Sequence, residues 1–166
     1  MTAARRRWKS RRQVAAIFGV LAGLVLLAGG PISAATTERI VSDPRSGLAI
    51  GGFDPVAYFT DDKPLLGRED YELSFGGVVW RFRNEGNRAA FLARPDIFMP
   101  RFGGYDPVSV TRGTNSPGHG EFWALVDDRL YLFFSEDARD GFIGNPGPAI
   151  EAAERAWPGV LRKLAP

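Results

Sequence analysis

The sequence predicts a small α+β domain: two related β-hairpin-plus-helix units, closed by a C-terminal helix. Three observations carry that expectation. Gly51-Gly52-Phe53-Asp54-Pro55-Val56 returns as Gly103-Gly104-Tyr105-Asp106-Pro107-Val108, an offset of 52. Beyond it, Phe82, Glu85, Arg88, Phe91 and Pro95 match Phe133, Glu136, Arg139, Phe142 and Pro146 at an offset of 51. Each half also switches from a two-residue alternation of apolar positions to a helix-starting signal, the mark of a strand pair followed by a helix. An internal period of about 50 residues in a chain of this length indicates a duplicated unit.

The first unit spans about residues 51–98. Tyr71, Leu73 and Phe75 alternate with polar positions, Gly76-Gly77 is a two-residue hairpin turn signal, and Val78, Trp80 and Phe82 alternate on the returning strand. Asn84 is positioned to cap a helix that carries Glu85 in its first turn, presents Phe91 and Leu92, and ends before Pro95. The second unit, about 103–147, repeats the scheme: a strand over Phe122–Val126, a turn at Asp127-Asp128, a strand over Leu130–Phe134, and Ser135 as the cap of a helix carrying Phe142 and Ile143. Pseudo-two-fold packing of the halves would place Phe82, Phe91, Phe133 and Phe142 in one core. Ile150, Ala153, Trp157, Leu161 and Leu164 recur at helical spacing, so the C-terminal helix turns one apolar face to the core, with a kink or restart expected at Pro158.

Composition narrows the chemistry. The chain has 166 residues, 45% hydrophobic and 24% charged, an ordinary globular balance. It has no cysteine and one histidine, which excludes disulfides, iron–sulfur clusters, thiolate metal sites and a thiol nucleophile. The net charge of +2 hides an asymmetry. Six of the 21 basic residues lie within residues 1–35, which hold no acidic residue; the rest carries fifteen basic against nineteen acidic groups. No dense basic block remains there to bind nucleic acid.

Residues 1–35 read as an export signal, with a basic stretch at 5–12, an uncharged run of 15 residues from Val14 to Ala28, and small residues Ser33-Ala34-Ala35 suited to cleavage. The run is shorter than the roughly 20 residues that cross a bilayer. Ser10-Arg11-Arg12 before it resembles a bacterial twin-arginine signal. Cleavage after Ala35 leaves Thr36–Pro166, 131 residues, with 36–47 as a linker and 48–166 as the domain. The expected location is periplasmic or secreted; the alternative is anchoring by an uncleaved N-terminal helix, which would be the chain's only contact with a membrane.

The strings AIGGFDPVAYFTDDKP, YELSFGGVVWRFRNEGNRAAFLARPDIFMPRFGGY, FWALVDDRLYLFFSEDARDGF and AERAWPGVL, in that order from Leu48 to Leu161, resemble the YHS-domain family in its exported bacterial branch. The resemblance implies a small α+β domain related to cysteine-bearing metal-binding modules. The ligand positions of those modules are changed here. The position after Asp-Pro-Val is Ala57, and the two of the Phe-Cys-Ser-Glu-Gly-Cys string are Arg83 and Asn87; the second unit has Ser109, Phe134 and Ala138. Exported relatives often keep one cysteine after the second Gly-Gly-Tyr, where this chain has Asp106. A soft-metal site therefore does not carry over, and neither a metal nor another cofactor is expected.

The candidate site residues are His119, Asp106, Tyr105, Tyr58 and Trp123. His119 stands between Gly118 and Gly120, which allow close approach, and its pKa near neutrality suits ligation or proton transfer; the competing reading is an exposed loop histidine. Asp54 and Asp106 are repeat equivalents that would either face each other or cap local turns. Tyr58, Tyr105, Trp123 and Tyr131 suit an aromatic pocket or the core. No nucleophile elbow, phosphate loop, dinucleotide fingerprint or zinc-protease motif is present. The expected function is an exported, non-catalytic domain that binds a small molecule or an envelope protein. The alternative is a metal-handling protein or enzyme using hard ligands such as Asp106 and His119.

Overall fold

The computed structural model describes residues 38–164; the expected signal segment, 1–35, lies outside them. The protein is an α+β domain built from two repeated units. In the first, a short helix α1 (Ala57–Thr60) leads to the antiparallel hairpin β1 (Arg68–Phe75) and β2 (Val78–Phe82), then to α2 (Glu85–Ala93) and a short α3 (Pro95–Phe98). The second repeats it with α4 (Pro107–Thr111), β3 (His119–Val126), β4 (Arg129–Phe133) and α5 (Glu136–Gly144), and α6 (Pro146–Leu161) closes the domain. The equivalence reaches the irregularities. The β1–β2 register shifts between Arg68 and Glu72, and that of β3–β4 between His119 and Trp123, at the same offset of 51.

Local signals explain the elements. Gly76 and Gly77 both have positive φ, 65° and 85°, the backbone a two-residue hairpin turn requires. Asp127 and Asp128 adopt the same left-handed region, at 51° and 54°, which Asp tolerates better than most side chains. Asn84 caps α2 by accepting from the Asn87 N–H at 2.8 Å, and Ser135 caps α5 by accepting from the Ala138 N–H at 3.2 Å. β3 begins at His119, three residues before the expected Phe122, because the strand continues through the register shift.

The expectation of one shared phenylalanine core is corrected. Phe82 and Phe91 belong to one buried cluster, Phe133 and Phe142 to another. Each helix folds back on its own hairpin, so each strand-end ring meets the ring of its own unit: centroids are 5.2 Å apart for Phe82–Phe91 and 5.0 Å for Phe133–Phe142. The units interlock through β4 instead. Leu130 and Leu132 enter the first unit's cluster, while Tyr131 and Phe133 enter the second's, as the two-residue alternation of a strand dictates. Trp123 and Leu125 of β3 also pack against the first cluster.

The stripe on α6 packs as expected, with Ala153 buried and Ile150, Trp157 and Leu161 against the second cluster; Val160 is buried as well, and Leu164, expected as the last position of the stripe, is buried in the turn just past the helix. α6 runs unbroken through Pro158, so the helix does not restart there. Pro158 lacks the N–H that would donate to the Glu154 carbonyl, and burial of Val160 and Leu164 beyond it helps hold the last turn. Residues 36–47 were expected as a linker, yet from Ile40 onward they join the domain. The Val41 N–H donates to the Gly103 carbonyl at 2.8 Å, the Ile50 N–H to the Val41 carbonyl at 3.0 Å, and Ser42 bridges Ala49. Among the described residues, no helix is long and apolar enough to cross a membrane.

Candidate functional site

The paired aspartates settle into the role of turn caps. Asp54 is fully buried. Its Oδ1 accepts from the Val56 N–H at 2.8 Å, and its Oδ2 accepts from the Arg83 N–H and from Asn87 Nδ2, both at 2.7 Å. Asp106, also buried, accepts from the Val108 N–H at 2.7 Å through Oδ1 and from the Phe134 N–H at 3.1 Å through Oδ2. Each carboxylate thus ties the start of its unit's first helix to the end of its hairpin. The two do not face each other.

The five candidate residues separate. His119 and Tyr105 line a cleft of about 500 Å³. Its floor is apolar, formed by Ile50, Phe53 and Phe122, and its rim holds Asp43, Asn115 and Glu121. Tyr105 is buried and its hydroxyl donates to the Glu38 carbonyl at 2.6 Å. Burial raises the Tyr105 pKa above the ordinary tyrosine value, so the cleft sees a neutral phenol edge. His119 is exposed and its ring stands 6.2 Å from Phe122 and 5.7 Å from Phe134, centroid to centroid. Asp43 is held below the usual carboxylate range chiefly by the Ser46 backbone N–H, with the Ser46 hydroxyl and the Arg45 N–H adding to it.

Tyr58 and Trp123 lie behind that cleft. Tyr58 is fully buried, its ring edge-on to Trp123 at 5.2 Å, and its hydroxyl donates to the Gly120 carbonyl at 2.8 Å. They therefore support the wall that carries His119. Tyr131 is buried in the second unit's core. Asp106 lines a second cavity, of about 810 Å³, together with Phe134, Ala138 and Phe142.

The glycines beside His119 are consumed by the protein's own packing. A Cβ on Gly120 would come within 2.3 Å of the Phe53 ring, and one on Gly118 within 2.7 Å of the Gly104 carbonyl and 2.6 Å of Leu132 Cβ. Gly120 lets the first unit's Phe53 seat against β3 and so build the cleft floor, while Gly118 lets β3 enter close to Leu132 and the Gly104 carbonyl. Phe53, Phe122 and Glu121 are cleft residues that sequence reasoning missed. The signal for them was present: Phe53 is the repeat partner of Tyr105, and Glu121 and Phe122 follow His119 on one strand.

The cleft combines one imidazole, carboxylates and a phenol edge above apolar ground. That arrangement suits a small molecule with an apolar body and a polar margin. Among the described residues, no three His, Asp or Glu side chains gather into a metal-holding group. No family model, curated protein or solved structure matches this chain.

Proposed function

We propose that the chain is an exported protein of the YHS-domain kind whose domain binds a small molecule, without catalysing its conversion, in the cleft beneath His119. The observation that carries the reading is the cleft itself: the exposed His119 ring over an apolar floor of Ile50, Phe53 and Phe122, with Glu121 and Asn115 at the rim. The export half rests on the basic, apolar and small-residue succession of residues 5–35. The alternative, a metal-handling protein or enzyme pairing Asp106 with His119, loses ground because Asp106 lines the other cavity and not the cleft of His119.

Native mass spectrometry of protein isolated from the periplasm tests both halves. The expected result is a mature N-terminus near Thr36 and a non-covalent adduct that His119→Ala loses while keeping the parent's melting temperature. Intact Met1 in the membrane fraction would overturn export with cleavage. An adduct-free parent, or an adduct unaffected by His119→Ala, would overturn binding in this cleft.

A further inference from the structure

The two repeats differ at one point where chemistry is left open. In the first, Asp54 Oδ2 accepts two hydrogen bonds, one from the Arg83 N–H and one from the Asn87 side-chain amide, each at 2.7 Å. In the second, among the described residues, Asp106 Oδ2 accepts from the Phe134 N–H alone, at 3.1 Å. The residue equivalent to Asn87 is Ala138, whose methyl donates nothing. A carboxylate oxygen carries two acceptor sites, so Asp106 Oδ2 keeps one that no donor among the described residues fills. Beside it opens the cavity of about 810 Å³, lined by both Asp106 and Ala138.

We propose that this cavity binds a small primary amine with an apolar body. Its ammonium takes the place beside Asp106 that the Asn87 amide holds beside Asp54. An ammonium supplies donors only, which matches an acceptor-only carboxylate. The wall adds a second carboxylate, Asp137, against one guanidinium, Arg112, a balance that favours a cation. Phe142, Ala149 and Ala152 offer the body an apolar seat. The cavity shares no lining residue with the cleft of His119, so the absence of a ligand in that cleft would not remove benzylamine binding here.

Full-length 15N-labelled protein titrated with benzylamine hydrochloride tests the proposal, read at the Val108 and Phe134 amide resonances that report on Asp106. Saturable shifts are expected, at least tenfold weaker with neutral benzyl alcohol. Ala138→Asn, which restores the first repeat's amide, is expected to weaken benzylamine binding at least tenfold. Asp106→Asn is a second variant with the same expected loss. The proposal is overturned if those resonances do not move, if benzyl alcohol binds as well, if folded Ala138→Asn binds like the parent, or if sodium chloride at equal ionic strength reproduces the shifts.

Discussion

Asp54 and Asp106 make the same pair of backbone hydrogen bonds in the two halves of the domain. Oδ1 of each takes the N–H two residues ahead, Val56 or Val108, and Oδ2 takes the N–H just past the hairpin, Arg83 or Phe134. The bond to the hairpin end spans 29 residues in the first unit and 28 in the second, so a turn residue acts as a tertiary clasp.

The first prediction follows from the unequal third contact. Hydrogen bonds to a charged group contribute about 1.5–3 kcal/mol, and orphaned buried donors add to the loss. Asp54→Ala frees three donors and Asp106→Ala frees two. Chemical denaturation is expected to show both variants destabilised by at least about 2 kcal/mol, Asp54→Ala the more strongly. Equal stability of Asp54→Ala and the parent would refute the clasp.

Separate phenylalanine clusters make a second prediction. Phe→Leu at Phe82, Phe91 or Phe142 is expected to cost about 1–2 kcal/mol each. Phe82 and Phe91 touch, so their double variant is expected to be non-additive; Phe82 and Phe142 lie in different clusters, so theirs is expected to add within about 0.5 kcal/mol. Coupling between Phe82 and Phe142 as large as that between Phe82 and Phe91 would restore the single core.

Much of this fold was legible because local signals and the repeat agree: caps at Asn84 and Ser135, turns at Gly76-Gly77 and Asp127-Asp128, and a single offset from β1 through α5. The way the units interlock was harder to read. Repeat identity suggests symmetry, but the strands differ in a way that breaks it. Arg81 interrupts the apolar run of β2, whose exposure alternates; Leu130 to Phe133 is continuous and buried on both faces. An uninterrupted apolar strand belongs between two layers, and that contrast was the available clue. The site was legible only in part. His119 and Tyr105 meet in one cleft, whereas Phe53 reaches it from the other unit through a close approach to Gly120, which no local pattern announces.

A third prediction concerns alkaline pH. Burial, with the negative charges of Asp54 and Glu121, raises the Tyr58 pKa well above its ordinary value of 10.0. The folded state therefore keeps a proton that the unfolded state releases as pH rises past about 10. Stability from Tyr58 is fully present below that value and declines above it. Burial raises Tyr105 and Tyr131 in the same direction. Urea midpoints are expected to fall above pH 10. Tyr58→Phe is expected to cost about 1 kcal/mol at pH 7, from the lost bond to the Gly120 carbonyl, and to reduce the alkaline slope. A slope unchanged in Tyr58→Phe would show that the hydroxyl is not the titrating group.

The last prediction tests the glycines that frame His119. Neither Gly118 nor Gly120 has positive φ, so neither is required for backbone freedom; what each provides is space. A Cβ on Gly118 meets Leu132 and the Gly104 carbonyl, and the backbone there is pinned by the Gly118 N–H donating to that same oxygen at 2.9 Å. A Cβ on Gly120 meets the Phe53 ring, a side chain at the floor of the cleft that is half-buried and has some freedom to move. Gly120→Ala is therefore expected to cost about 1–3 kcal/mol, the ordinary range for overpacking, and Gly118→Ala more, because rigid backbone cannot yield as a ring can. Displacing Phe53 also reshapes the His119 cleft, so Gly120→Ala is expected to weaken retention of its ligand beyond what the stability loss explains. Phe53→Leu in the Gly120→Ala background relieves the clash and is expected to recover part of the stability. Thermal denaturation of the three variants checks the order, and a Gly120→Ala variant as stable as the parent would show that Phe53 does not seat against β3.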